Sequence, residues 1–238
     1  MGLITLIPSF LRHFNVLITS SDFNKLNDFD LPFACDAIRA HLIDKLLSPS
    51  ISRFFLKGID ESLSIDNCTH SLFGASKLSA DLYVQEFGKN LGLNTVCFRA
   101  GCITGNNHSG AKLHGFLSYL VKKSIREKSY QIIGYKGKQV RDNIHAKDLV
   151  NCFWNYYLNP KKGEVYNIGG GRFSNCSILE ALNEIENLTN IKVKKQYSKS
   201  PRVGDHIWYI TNNNKFKKDY PKWKQKYNTK KIIDELIQ

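Results

Sequence analysis

The sequence predicts an α/β fold, and two observations support that prediction. Segments with helical spacing precede short apolar segments, as in 71–90 before 93–98 and 146–158 before 164–168. This alternation is typical of a parallel sheet flanked by helices. The chain has 238 residues, of which 42% are hydrophobic, so it is a globular chain of one large domain or one and a half.

The first 90 residues contain one strand, one irregular stretch and one helix. Residues 14–19 form an apolar, β-branched run that predicts a buried strand, and residues 20–59 are an irregular excursion from the core. Residues 71–90 are predicted to be helical, followed by the strand at 93–98. The helical spacing runs through Leu78, Leu82 and Phe87.

After Gly101, helices and short strands alternate. The predicted helices are 113–127, 146–158, 176–188 and 229–238, and the predicted strands are 130–134, 140–144 and 164–168. Ser174 is the predicted N-cap of the third of these helices. Gly169–Gly171 lie between a strand and a helix, where backbone N–H groups could cradle a phosphate. Their spacing differs from the dinucleotide-binding fingerprint, which favours a plain turn.

Positive charge is concentrated at the C-terminal end. Residues 191–238 contain twelve lysines and one arginine against four acidic residues, which supplies +9 of the net +13. Aromatic residues are interleaved with these lysines, so a nucleic-acid-binding protein is one hypothesis. No zinc finger or RNP sequence accompanies the basic segment, and an anionic small molecule explains the charge equally well.

The cysteines and apolar runs exclude several other classes of protein. The six cysteines contain no C-x-x-C pair, so the sequence predicts reduced thiols and no metal site. The longest apolar-looking stretch, 3–11, contains Pro8 and is shorter than the roughly 18 residues of a membrane span. It also lacks the features of a signal peptide. We therefore expect a cytoplasmic chain without a membrane partner.

The pentapeptide FGASK at 73–77 opens the helix predicted at 71–90. With tyrosine in place of Phe73 it would read Y-x-x-x-K, in which Tyr and Lys lie one helical turn apart on the same face. There the Lys charge lowers the pKa of the phenol, which can then exchange a proton at neutral pH. Taken alone, the pentapeptide is equally consistent with a buried Phe and a solvated Lys.

Four ordered segments give the pentapeptide a context. They are SLFGASKLSADLYVQEFGKNLGLNTVCFRAG at 71–101, GYKGKQVRDNIHAKDLV at 134–150, EVYNIGGG at 164–171 and PRVGDHIWYITNNNKF at 201–216. Together they resemble the extended short-chain dehydrogenase/reductases of the NAD-dependent epimerase/dehydratase family. Within that family the wording is most similar to the nucleotide-sugar epimerases of the CDP-tyvelose (CDP-paratose 2-) epimerase group.

The resemblance implies a fold, a chemistry and a cofactor. Such enzymes oxidise a carbon of a nucleotide-diphosphate sugar by hydride transfer to NAD and then return the hydride. Lys77 matches the family's lysine, which fixes the catalytic tyrosine and the nicotinamide ribose, and Phe73 stands at the tyrosine position. Ser20 and Ser21 fall where the family has a catalytic Ser or Thr, and Asp22 is an alternative occupant of that position. Ser21 is the expected catalytic residue, and Ser20 is expected to contact the cofactor.

The resemblance also implies a substrate site. Arg141 and Arg202 fall on arginines that contact the nucleotide diphosphate, a role that suits the bidentate guanidinium. His108 and His114 lie in the region that enters the sugar pocket. Three further residues match scaffold or pocket-lining positions: His145, Asp148 and Asn167.

The chain also departs from the family's pattern. Phe73 has no ionisable group, and the family's G-x-x-G-x-x-G loop is absent from the sequence. The expected architecture is therefore the C-terminal part of a Rossmann-type parallel sheet domain plus a small substrate-binding lobe. Residues 1–101 would be the partial NAD-binding domain and 102–238 mostly the lobe, with 164–171 returning to the sheet. A homodimer is expected by analogy.

Three functional hypotheses follow from the sequence. The first is an NAD-dependent nucleotide-sugar epimerase or dehydratase, impaired by Phe73 and by the missing glycine loop. The second is a catalytically dead remnant that binds nucleotide sugar or pairs with an intact relative. The third is the basic nucleic-acid-binding protein.

Overall fold

The structure, a computed structural model, describes residues 57–65, 72–108, 110, 115–198 and 207–238. The helices are α1 (Leu72–Lys89), α2 (Phe116–Glu127), α3 (Ala146–Leu158), α4 (Ile178–Thr189), α5 (Asn214–Asp219) and α6 (Thr229–Ile237). The strands are β1 (Val96–Ala100), β2 (Cys102–Thr104), β3 (Ser129–Ile133), β4 (Val140–His145), β5 (Glu164–Ile168), β6 (Asn175–Ser177), β7 (Lys194–Ser198) and β8 (Trp208–Tyr209). The predicted α/β class is confirmed; the strand predicted at 14–19 lies outside the described residues.

One part of the fold is a parallel strand pair with helices on both sides. β1 and β5 pair in register from Val96 opposite Glu164 to Ala100 opposite Ile168. On one face, Ala80 and Val84 of α1 pack against the pair. On the other face, α3 and α5 contribute an aromatic core around Phe98. This layered arrangement is typical of α/β proteins and buries both faces of the parallel strands.

The second part, called the lobe below, is the group of strands around β4 together with helices α2, α4 and α6. The last residues of β4 pair in parallel with β2, and its first residues pair with antiparallel β6 and with parallel β8. β3 and β7 form a separate parallel pair. The lobe core is formed by apolar residues of α2, α4 and α6: Leu117, Leu120, Val121, Ala181, Leu182, Ile185, Ile232 and Ile233.

Helix α1 buries a different face from the one that its large apolar residues suggest. Leu82 and Phe87, whose spacing predicts the helix, are exposed, whereas Ala80, Val84 and Gly88 are buried. The reason is close packing: a Cβ atom on Gly88 would lie 2.1 Å from the backbone nitrogen of Gly163. Small residues on this face therefore bring the helix against the strand pair.

Helix α4 begins at a different cap from the one predicted. Ser177 is the N-cap, and its hydroxyl accepts from the backbone N–H of Glu180 while the Glu180 carboxylate accepts from the backbone N–H of Ser177. This reciprocal pair is a capping box. Ser174, the predicted cap, lies before β6, and its hydroxyl contacts Thr229. Short β6 takes the first two residues of the helix predicted at 176–188, and α4 begins at Ile178.

The aromatic residues between the C-terminal lysines belong largely to the interior. Trp223 is 1% exposed and Tyr220 is 4% exposed, and both pack in the aromatic core with Phe216. The Tyr227 ring stacks on His145 with ring centroids 3.9 Å apart. Stacking on nucleic-acid bases needs exposed aromatic faces, so the geometry disfavours the nucleic-acid hypothesis.

Candidate functional site

The start of α1 places Phe73 and Lys77 together, as the four-residue spacing predicts. The Lys77 Nζ atom lies 5.1 Å from the centroid of the Phe73 ring, within the range of a cation–π contact. Burial lowers the pKa of the Lys77 amine. The hydrocarbon ring cannot exchange a proton, so this turn offers one titratable group where a Tyr–Lys pair would offer two.

Arg141 is held in β4, the central strand of the lobe. It is 9% exposed, lies opposite Cys176 of β6 and Tyr209 of β8, and its Nη1 donates to the Val140 carbonyl at 2.9 Å. Pairing on both sides fixes the backbone from which the guanidinium projects. A cation placed in this way can hold an anion without first ordering its own strand.

His108 lies in the segment after β2, against the start of α2. Its Nδ1 atom is 3.3 Å from the Ser118 hydroxyl, and its carbonyl accepts from Lys122 Nζ at 3.4 Å. A Cβ atom on Gly115 would lie 2.0 Å from the imidazole, so glycine is the residue that lets the ring pack there. β2, which precedes His108, pairs with the last three residues of β4, whereas Arg141 lies in the first half of that strand.

The glycine turn after β5 uses its N–H groups internally. Gly169 N–H donates to Asn213 Oδ1 at 3.0 Å, and Gly171 N–H donates to Asp142 Oδ2 at 2.8 Å. A phosphate cradle needs such groups to point at the ligand. The glycines therefore form a plain turn, as their spacing favours, but this turn leads through a short 3₁₀ segment (Gly171–Phe173) into β6 and not directly into a helix.

The three residues matched to scaffold or pocket-lining positions each contact a segment that is distant in sequence. Asp148 accepts the backbone N–H groups of Lys226 and Tyr227, and the Asn167 amide donates to the Ile59 carbonyl at 3.2 Å. His145 accepts from Lys147 N–H and contacts Glu235 at 3.1 Å, while burial lowers the pKa of its imidazole. These contacts tie the C-terminal segment to the lobe.

The structure describes some of the predicted site residues but not all of them. Ser20, Ser21, His114 and Arg202 lie outside the described residues. Phe73 and Lys77 form one pair on the strand-pair side of the molecule, and Arg141 and His108 lie in the lobe. Among the described residues, no group of three or more His, Cys, Asp or Glu side chains could hold a metal ion. Each helix in the described part is too short or too polar to cross a bilayer.

A family model for the NAD dependent epimerase/dehydratase family matches residues 34–169, more than half of the chain. The chain belongs to the NAD-dependent epimerase/dehydratase family. The resemblance found in the four sequence segments is thereby confirmed at the level of the family.

Curated relatives agree with this assignment. CDP-paratose 2-epimerase of Salmonella typhi is 33% identical over 144 residues, which are 58% of this chain and 42% of that protein. dTDP-glucose 4,6-dehydratase 1 of Escherichia coli K12 is 31% identical over 100 residues, which are 42% of this chain and 27% of that protein. The chain thus spans less than half the length of the curated relatives it matches.

Solved structures of family members have the same fold. dTDP-glucose 4,6-dehydratase of Bacillus anthracis in complex with NAD superposes with a TM-score of 0.61 at 24% identity, over 76% of this chain and 55% of that one. A tyrosine-to-phenylalanine variant of Bacillus cereus UDP-glucuronic acid 4-epimerase, in complex with a fluorinated UDP-sugar and NAD, gives 0.64 at 21% identity, with 76% and 55% coverage. The Rossmann-type parallel architecture predicted from the sequence is confirmed by these superpositions.

The described residues fit only part of an NAD site. Lys77 supplies one amine on α1, but the N–H groups of Gly169 and Gly171 are bonded to side chains of the chain itself. The sequence also contains no G-x-x-G-x-x-G loop. The described residues therefore do not form the pyrophosphate cradle that NAD binding on this fold needs.

Proposed function

We propose that the chain binds a nucleotide-diphosphate sugar in the lobe around β4 and that its proton-transfer chemistry is impaired at Phe73. The observation that carries the proposal is the buried, doubly paired position of Arg141 in β4, within a chain that belongs to this family. The relatives and structural neighbours support it, because their names specify CDP-, dTDP- and UDP-linked sugars.

Arg141 supplies the binding step. A guanidinium donates two parallel hydrogen bonds to the oxygens of one phosphate, and such charge-assisted bonds are stronger than neutral ones. Arg202 is proposed as the second diphosphate contact, and His108 and His114 are proposed to line the sugar pocket. Lys77 with Ser20 is proposed to contact the cofactor, and Ser21 to orient the sugar hydroxyl.

Phe73 limits the chemical step. Epimerases of this family take a proton from a sugar hydroxyl while hydride leaves the same carbon, and the base is a phenol. A missing general base costs about 10²–10⁴-fold in rate. The Lys77 amine remains beside the Phe73 ring, so the site keeps the cation that would activate a phenol but not the phenol itself.

We also propose a cofactor, a division of the chain, an assembly and a compartment. NAD is the cofactor by family, with Lys77 as its contact in this chain. The residues up to 101 are assigned to the cofactor side and later ones mostly to the substrate lobe. A homodimer is the proposed assembly, and the cytoplasm is the proposed compartment.

Replacing Phe73 with tyrosine tests the proposed site directly. In Phe73→Tyr the introduced phenol is expected to titrate at least one pH unit below the usual tyrosine pKa of about 10, because the Lys77 charge lies one turn away. Difference absorbance at 295 nm against the parent chain measures this pKa. The matched control is Phe73→Tyr combined with Lys77→Met, which should return the pKa to its ordinary range.

Two outcomes would contradict the proposal. An ordinary phenol pKa in Phe73→Tyr would show that α1 does not place residue 73 under the influence of the Lys77 charge. Conversion of any nucleotide sugar by the unmodified chain with added NAD, at a rate equal to that of Phe73→Tyr, would show that Phe73 does not limit the chemistry.

A further inference from the structure

Asp142, the neighbour of Arg141, is a buried carboxylate that joins three segments. It is 1% exposed, and its Oδ2 accepts the N–H groups of Gly171 at 2.8 Å and of Thr211 at 2.9 Å. Gly171 ends the glycine turn after β5, and Thr211 follows β8. The carboxylate therefore connects β4 with the end of the strand pair and with the segment beyond β8.

Two glycines make room for this carboxylate. A Cβ atom on Gly101 would lie 2.8 Å from Asp142 Oδ1, and one on Gly169 would lie 2.3 Å from Oδ2 and 2.2 Å from the Thr211 hydroxyl oxygen. These glycines directly follow β1 and β5. The ends of both parallel strands thus lie against Asp142, so the carboxylate sits where the strand pair meets the lobe.

The same contacts fix the strand that carries Arg141. β8 pairs with β4 through Val140 opposite Trp208 and Arg141 opposite Tyr209, and the N–H group held by Asp142 comes two residues later. β8 has only two residues, so its pairing with β4 supplies few bonds of its own. Successive side chains of a strand point to opposite faces. The Asp142 side chain can therefore hold the segment after β8 from one face of β4, while the Arg141 side chain lies on the opposite face.

We propose, on the basis of the proposed function, that Asp142 is a positioning residue for the diphosphate site. Its carboxylate holds β8 and the glycine turn against β4, which sets the backbone from which the Arg141 guanidinium reaches the phosphate. Asp142 itself does not contact the ligand. Losing the carboxylate lets β8 and the turn shift, so Arg141 is no longer held in a ready position and binding weakens.

The test compares two buried carboxylates that make similar bonds. Asp142→Asn replaces the acceptor of the two N–H groups, and Asp148→Asn does the same to the 2%-exposed carboxylate that accepts Lys226 and Tyr227 N–H. Calorimetric titration with UDP measures affinity, and thermal unfolding followed by circular dichroism measures stability. We expect both variants to melt earlier, but only Asp142→Asn to bind UDP at least tenfold more weakly at 20 °C.

The outcomes separate the inference from the function on which it rests. If the unmodified chain does not bind UDP or any nucleotide sugar, the proposed function fails. If it binds UDP and Asp142→Asn binds equally well, or if Asp148→Asn loses as much affinity, Asp142 is a stability residue and the inference is overturned.

A second variant decides the matter if Asp142→Asn does not fold. Thr211→Val keeps the side-chain volume while removing the hydroxyl that lies beside the carboxylate. We expect a threefold or larger loss of UDP affinity in this variant, with unchanged secondary structure. An affinity equal to that of the unmodified chain would overturn the inference.

Discussion

Arg141→Met is expected to weaken the binding of UDP by about 10- to 100-fold, because hydrogen bonds to charged groups contribute about 1.5–3 kcal/mol each. The residue is 9% exposed and its strand is paired on both sides. Methionine retains an unbranched apolar side chain at the position but donates no hydrogen bond and carries no charge. Titration calorimetry at fixed ionic strength measures the loss.

The control for Arg141→Met removes the same charge elsewhere. Arg126→Met changes an exposed arginine in the last turn of α2, so net charge falls equally without touching β4. Its UDP affinity should stay within twofold of that of the unmodified chain. Equal losses in the two variants would mean that the net positive charge, and not a placed guanidinium, attracts the nucleotide.

Gly170→Ala is expected to destabilise the fold by about 3 kcal/mol or more, because overpacking against rigid neighbours forces the backbone apart. The new Cβ would lie 2.1 Å from the Ser174 carbonyl oxygen and 2.3 Å from the Asn143 carbonyl oxygen. Both atoms belong to backbone, which cannot rotate away as a side chain would. Urea unfolding followed by circular dichroism measures the change.

Gly105→Ala is the matched control for the glycine turn. Its Cβ would meet Ala146 Cβ at 3.4 Å, an ordinary contact, so the free energy of unfolding should change by less than about 1 kcal/mol. If Gly170→Ala unfolded at the same urea concentration as the unmodified chain, the inference that the turn packs tightly against β4 would be wrong.

Much of the fold could be predicted from sequence because its longer elements have clear local patterns. The helix at 146–158 and the strand at 164–168 are observed with those bounds. The short strands β2, β6 and β8 could not be predicted, since two or three residues pair only where another strand is already placed. The buried face of α1 also could not be predicted from the local sequence pattern, because its small residues, and not its large apolar ones, pack against the strand pair.

The site was predictable where chemistry follows from spacing. Phe73 and Lys77 are four residues apart on a helix, and the structure brings them together. Asp142 could not be singled out in the same way, because Gly171 and Thr211, whose N–H groups it accepts, are distant in sequence. A buried carboxylate is recognised by the partners that tertiary structure gives it.

The most direct measurement is a calorimetric titration of the unmodified chain with UDP-, CDP- and dTDP-linked sugars, followed by product analysis after incubation with NAD. We predict saturable binding of at least one of these compounds at one site per chain, competed by UDP or the matching nucleoside diphosphate. We also predict that any sugar conversion is at least about 100-fold slower than that by Phe73→Tyr. Absence of binding to all three, or conversion of any of them by the unmodified chain as fast as by Phe73→Tyr, would contradict the account.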